Sequence, residues 1–168
     1  MTHEDEEATA DRTAALIARL TARGMTLAVA ESLTGGALTA ELTRPAGASA
    51  VVLGGAVVYA TELKHTLVGV DAALLAEHGP VHPEVARQLA RGVRSALAVG
   101  RRPADVGVAT TGVAGPDGQG GRSPGTVFIG ISHGDEDEVV ELALTGTRAQ
   151  IRAESVDVAV RTLAELVL

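Results

Sequence analysis

Cysteine and tryptophan are absent from this 168-residue chain, and tyrosine, phenylalanine and lysine occur once each. Without cysteine there are no disulfides, no Cys-ligated zinc or iron–sulfur cluster and no thiolate nucleophile, so covalent catalysis must use another group. Two aromatic rings are too few for the base-stacking platforms of single-strand binders. Basic charge is also short: 14 Lys and Arg face 21 Asp and Glu, a net charge of −7 that argues against a nucleic-acid partner held by broad phosphate neutralisation. Long apolar runs are missing as well. The longest, AGASAVVLGGAVVYA over 46–60, is interrupted by glycine and too short to span a bilayer, and the start MTHEDEEATADR lacks the basic-then-apolar layout of a signal peptide. A cytoplasmic protein without a membrane partner is the expectation.

What remains is apolar and glycine-rich: 46% of residues are hydrophobic and 20 are glycine, where average usage would give about 12. The acidic start reads as a disordered, solvated tail over 1–8, followed by one domain over 9–168. Helices are expected over 9–23, 34–43, 61–68, 71–78, 83–99 and from Thr147 onward, where Thr147-Arg148-Ala149-Gln150 fits a capping box. Strands are expected over 25–30, 55–59, 106–110, 126–132 and 139–145, with HGDEDE as a hairpin connection and Asp135 to Glu138 at its solvated tip. Strands alternating with helices, ending in a hairpin, imply an α/β three-layer α/β/α sandwich with a mixed sheet.

Three segments could carry chemistry, and each has an ordinary structural alternative. Glu31-Ser32-Leu33-Thr34-Gly35-Gly36 turns from strand to helix at a strand's carboxyl end, where open α/β sheets place ligands. Ser32 there is a candidate nucleophile, and N–H groups around Thr34, Gly35 and Gly36 could face an anion or a developing oxyanion. The alternative is that Ser and Thr cap the helix while the glycines close a turn. Tyr59 and Lys64, the chain's sole Tyr and Lys, lie five positions apart; a neutral Lys, or a Tyr polarised by it, can serve as base for a hydroxyl. Alternatively, the phenol packs at a strand end and the lysine is solvated. Thr111-Gly112-Val113-Ala114-Gly115-Pro116-Asp117-Gly118 also follows a strand, and its glycines let backbone N–H groups approach phosphate or ribose; it matches no P-loop or dinucleotide fingerprint. Arg148 and Arg152, one helical turn apart, could hold a phosphate or form a solvated face. His78 and His82 have ligand spacing, but Gly79-Pro80 breaks the helix between them, so no metal and no cofactor are expected.

Taken together, AESLTGG (30–36), GGAVVYATELK (54–64), TGVAGPDG (111–118) with PGTV (124–127), and GTRAQIR (146–152) resemble the CinA C-terminal domain family. The likeness covers nearly all of the chain beyond its acidic start. It implies a three-layer sandwich and, since active members are nicotinamide-nucleotide amidases, hydrolysis of the carboxamide of nicotinamide mononucleotide to nicotinic acid mononucleotide and ammonia. By the same resemblance Ser32, Tyr59 and Lys64 are catalytic and a homo-oligomer is expected; the loops and arginines read above make Thr34, Gly35, Gly36, Thr111, Gly112, Gly115, Arg148 and Arg152 the candidates for substrate binding. His82 stands where relatives commonly carry a small hydroxyl residue. A non-catalytic nucleotide-binding regulatory module and an amidohydrolase of altered specificity are the alternative readings.

Overall fold

The computed structural model describes residues 3–166. Eleven elements follow in the order α1 (His3–Arg23), β1 (Leu27–Glu31), α2 (Ala37–Thr43), β2 (Val52–Val57), α3 (Thr61–Thr66), α4 (Ala72–His78), α5 (Pro83–Ala96), β3 (Val106–Gly112), β4 (Thr126–His133), β5 (Glu136–Ala143) and α6 (Arg148–Leu166), with a 3-10 turn at Ala48–Ala50. The sheet runs β2-β1-β3-β4-β5. β1 is parallel to both its neighbours, whereas β4 and β5 are antiparallel to what they pair with, so the sheet is mixed.

Two-residue alternation builds the layers. On β1, Leu27 and Val29 enter a core shared with Leu16, Leu20, Leu38, Leu42 and Leu163 from α1, α2 and α6. Ala28 and Ala30 face the other way, toward Val85, Leu89 and Val93 of α5. Small residues on that second face let α5 approach the sheet's backbone: a Cβ on Gly107 would lie 1.9 Å from the Ala90 carbonyl oxygen, and one on Gly130 would lie 2.2 Å from that of Ala86. The α/β/α sandwich is therefore asymmetric, with large aliphatic side chains on one face and close backbone contact on the other.

Several boundaries differ from expectation for identifiable reasons. From His3 onward the acidic start is helix rather than tail; residues 1 and 2 lie outside the described residues. α2 begins at Ala37 instead of 34, since Gly35 and Gly36 have positive φ and form the turn. β2 lies earlier than expected and ends at Val57, leaving Tyr59 beyond the strand. The hairpin between β4 and β5 is tight, and Glu136 to Glu138 belong to β5. The expectation of a solvated tip fails at Asp137, whose side chain is 5% exposed and lies 3.0 Å from Arg91 Nε. The capping box forms as expected: Gln150 Oε1 accepts the Thr147 N–H at 2.8 Å, and Thr147 Oγ1 accepts that of Gln150 at 3.3 Å.

Candidate active site

The order β2-β1-β3 creates a switch point, because the chain leaves β1 toward β2 on one side and returns to β3 on the other. The carboxyl ends of β1 and β3 meet there, and the Ser32 N–H donates to the Thr110 carbonyl at 3.0 Å. The turn after β1 is tied at several points. Gly35 N–H donates to the Ser32 carbonyl at 3.1 Å, Thr34 Oγ1 lies 2.7 Å from Thr110 Oγ1, and Arg152 donates from Nε to the Leu33 carbonyl (3.0 Å) and from a terminal nitrogen to that of Thr34 (2.9 Å). The buried Glu31 carboxylate accepts the N–H groups of Gly36, Leu38 and Thr39 at 2.9, 3.1 and 2.8 Å. Of the expected oxyanion donors around Thr34 to Gly36, Gly35 and Gly36 have N–H groups committed to the Ser32 carbonyl and the Glu31 carboxylate, and none of the three lines the cavity.

Lys64 projects from α3 into this corner and is fully buried. Its Nζ donates to the Val58 carbonyl at 2.6 Å, approaches that of Tyr59 at 3.4 Å and lies 3.1 Å from Ser32 Oγ. Burial away from water penalises the ammonium form and lowers its pKa to about 8. Two carbonyls orient two N–H bonds, so a neutral amine can aim its lone pair at the serine hydroxyl. Of the two candidate bases, Lys64 is the one that reaches Ser32: Tyr59 is 60% exposed, and its hydroxyl accepts from Arg148 at 3.1 Å. The lysine meets the tyrosine's backbone, not its phenol.

A cavity of about 280 Å³ opens above the pair, lined by Ser32, Lys64, Tyr59, Pro80, Val81, Thr111, Gly112, Gly115, Asp117, Gln119 and Arg148 among others. Thr111, Gly112, Gly115 and Arg148 of the candidate binding residues line this cavity, and Arg148 is braced by the Gly115 carbonyl at 2.8 Å. Arg152 does not line the cavity; its guanidinium clamps the serine turn instead of standing free for a phosphate. Sequence reasoning missed Val81, and took Pro80 only as part of a helix break. Their role depends on a distant bond, from Thr111 Oγ1 to the Pro80 carbonyl at 2.6 Å. His82 caps α5, its Nδ1 accepting the Glu84 N–H at 3.2 Å, and its ring stacks on His78 at 4.6 Å. Among the described residues no group of three or more His, Cys, Asp or Glu could hold a metal ion, and no helix is long and apolar enough to cross a membrane.

Fold and site together define a class: an α/β sandwich carrying a serine and a buried lysine in contact at the carboxyl rim of a mixed sheet. The chain belongs to the CinA C-terminal domain family, whose profile matches residues 9–167. A protein of Bacillus cereus (strain AH187), provisionally named competence-damage inducible protein, is 45% identical over 134 residues, covering 79% of this chain and 31% of that protein. A relative of the same provisional name from Halalkalibacterium halodurans is 44% identical over 138 residues, covering 82% of this chain and 32% of its own length. The chain thus spans about a third of the length of these curated relatives. Among solved structures, competence/damage inducible protein CihA from Agrobacterium tumefaciens matches with TM-score 0.88 and 31% identity, covering 95% of this chain and 96% of that one. Competence damage-inducible protein A (ComA) from Klebsiella pneumoniae matches with TM-score 0.86 and 34% identity, covering 95% and 96%.

Proposed function

We propose that the protein is an amidase that hydrolyses the carboxamide of nicotinamide mononucleotide through an acyl-Ser32 intermediate. The observation that carries this reading is the buried Lys64 amine, 3.1 Å from Ser32 Oγ and with a pKa near that of a working base. Neutral Lys64 takes the hydroxyl proton as Oγ attacks the carboxamide carbon. The Leu33 N–H, which follows the nucleophile and has no acceptor among the described residues, is the donor we assign to the oxyanion. The Lys64 ammonium then protonates the leaving amine, ammonia departs, and Ser32 holds the nicotinoyl ester. Lys64, neutral again, takes a proton from water, whose oxygen attacks the ester; nicotinic acid mononucleotide leaves and the proton returns to Ser32.

The rest of the cavity suits the remainder of this substrate. Tyr59 presents an exposed ring on which a pyridinium can stack, and Arg148 stands at the same wall for the phosphate. A nucleotide-binding module without turnover would have no use for a buried lysine against a serine. The test is ammonia release from nicotinamide mononucleotide. Ser32→Ala and Lys64→Met are expected to lose about a thousandfold or more of kcat. Tyr59→Phe, which keeps the ring, is expected to stay within about tenfold, since its phenol is not in the proton path. Nucleotide binding without ammonia release by the unmodified protein would overturn the proposal in favour of the module.

A further inference from the structure

Glu31 is a carboxylate with no exposed surface, next to the nucleophile, and the mechanism above does not use it. One oxygen accepts the N–H groups of Gly36 and Leu38; the other accepts the Thr39 N–H and, at 2.6 Å, its hydroxyl. No cationic side chain pairs with it among the described residues. Its charge rests on the first turn of α2, held there by N–H groups that would otherwise have no intrahelical acceptor. The bond from the Glu31 side chain to the Gly36 N–H also closes the segment 31–36 into a ring, with Ser32 inside it. Across the sheet the same arrangement requires Gly55, where a Cβ would fall 2.0 Å from Thr39 Oγ1.

We infer that Glu31 is a positioning residue: its carboxylate pins the start of α2 to the end of β1 and so fixes Ser32 Oγ against Lys64. This rests on the reading of Ser32 as a nucleophile. The Arg152 clamp restrains the ring's carbonyls from outside, while Glu31 restrains its N–H side from within. Removing the carboxylate leaves serine and lysine both present but no longer in register. Loss of alignment lowers the rate of attack and leaves ground-state binding, made by Tyr59 and Arg148 on other elements, in place.

The experiment compares wild type, Glu31→Gln and Thr39→Val by the rate at which phenylmethylsulfonyl fluoride labels Ser32, read by mass spectrometry, beside kcat and KM for the nucleotide. The labelling needs no nucleotide, so it separates positioning of the serine from the choice of substrate. For Glu31→Gln we expect complete labelling at least about tenfold slower, with kcat lower by a similar factor, KM within about twofold and the pH midpoint of labelling unchanged, because the base is untouched. Thr39→Val, which removes one of the carboxylate's partners, is expected to slow labelling about threefold and decides the matter if Glu31→Gln does not fold. Labelling at the wild-type rate in folded variants, or a change confined to KM, would overturn the proposal. Labelled Ser32 in a wild type that releases no ammonia would overturn the substrate reading alone, whereas no labelling of wild-type Ser32 would overturn both.

Discussion

The chain's single lysine is fully buried, and its burial has consequences for both rate and stability. With a pKa of about 8, Lys64 is neutral in about a tenth of molecules at pH 7 and in about half at pH 8. The kcat/KM for the amide is therefore expected to rise about tenfold per unit below pH 8 and to level off above it; a flat profile from pH 6 to 9 would remove Lys64 as the base. Stability carries the same signature with a definite sign. The folded-state pKa lies below the unfolded value, so the folded chain releases this proton first as pH rises, and stability increases between about pH 8 and 10. Measured against Lys64→Met by denaturant unfolding, wild type should gain up to about 3 kcal/mol across that window. No such gain would mean that the amine is better solvated than its surroundings imply.

Among the elements, α5 shows how a cap and a close approach are built and how each can fail. His82 supplies the cap through an unprotonated Nδ1, and its burial, then the neighbouring His78 and Arg122, lower its pKa. The unfolded chain therefore takes up this proton first as pH falls, so stability declines below about pH 6.5, and protonation also removes the cap acceptor. His82→Ser should keep the cap and flatten the stability profile between pH 7.5 and 5; His82→Ala should lose about 1 kcal/mol at pH 7.5. At the other contact, Gly107→Ala would set a methyl against the Ala90 carbonyl and force α5 from the sheet, an expected loss of about 3 kcal/mol or roughly 10 °C in Tm. The elements themselves were largely legible, since the apolar runs of β1 and β3 and the Pro83 start of α5 are local signals. The segments 32–36, 59–64 and 111–118 were legible for the same reason: each follows a strand and carries unusual residues. Two features were not. Glu31 reads as an ordinary charged residue until its side chain is seen folded onto α2, and Arg152 reads as half of a phosphate pair until it reaches a carbonyl 119 positions away. Both depend on side-chain direction across elements, which spacing along the chain does not encode.

At the scale of the whole molecule, the site combines residues 32, 59–64, 111–119 and 148 on a chain of net charge −7. The proposed substrate has a doubly charged phosphate and one pyridinium charge, so the molecule as a whole repels it while Arg148 attracts it. Distance decides between the two. A contact pair at about 4 Å is worth up to about 4 kcal/mol at an effective dielectric of 20, whereas charges beyond about 8 Å are largely screened at physiological salt. The local cation should therefore govern, and KM for the nucleotide is expected to rise about fivefold as ionic strength goes from about 0.02 to 0.5 M. Nicotinamide riboside, which lacks the phosphate, should change less than about twofold over the same range, and Arg148→Met should give the nucleotide the riboside's flat response. A fall in the nucleotide's KM with salt would show that the global charge outweighs Arg148 and that the phosphate is bound elsewhere or left in solvent.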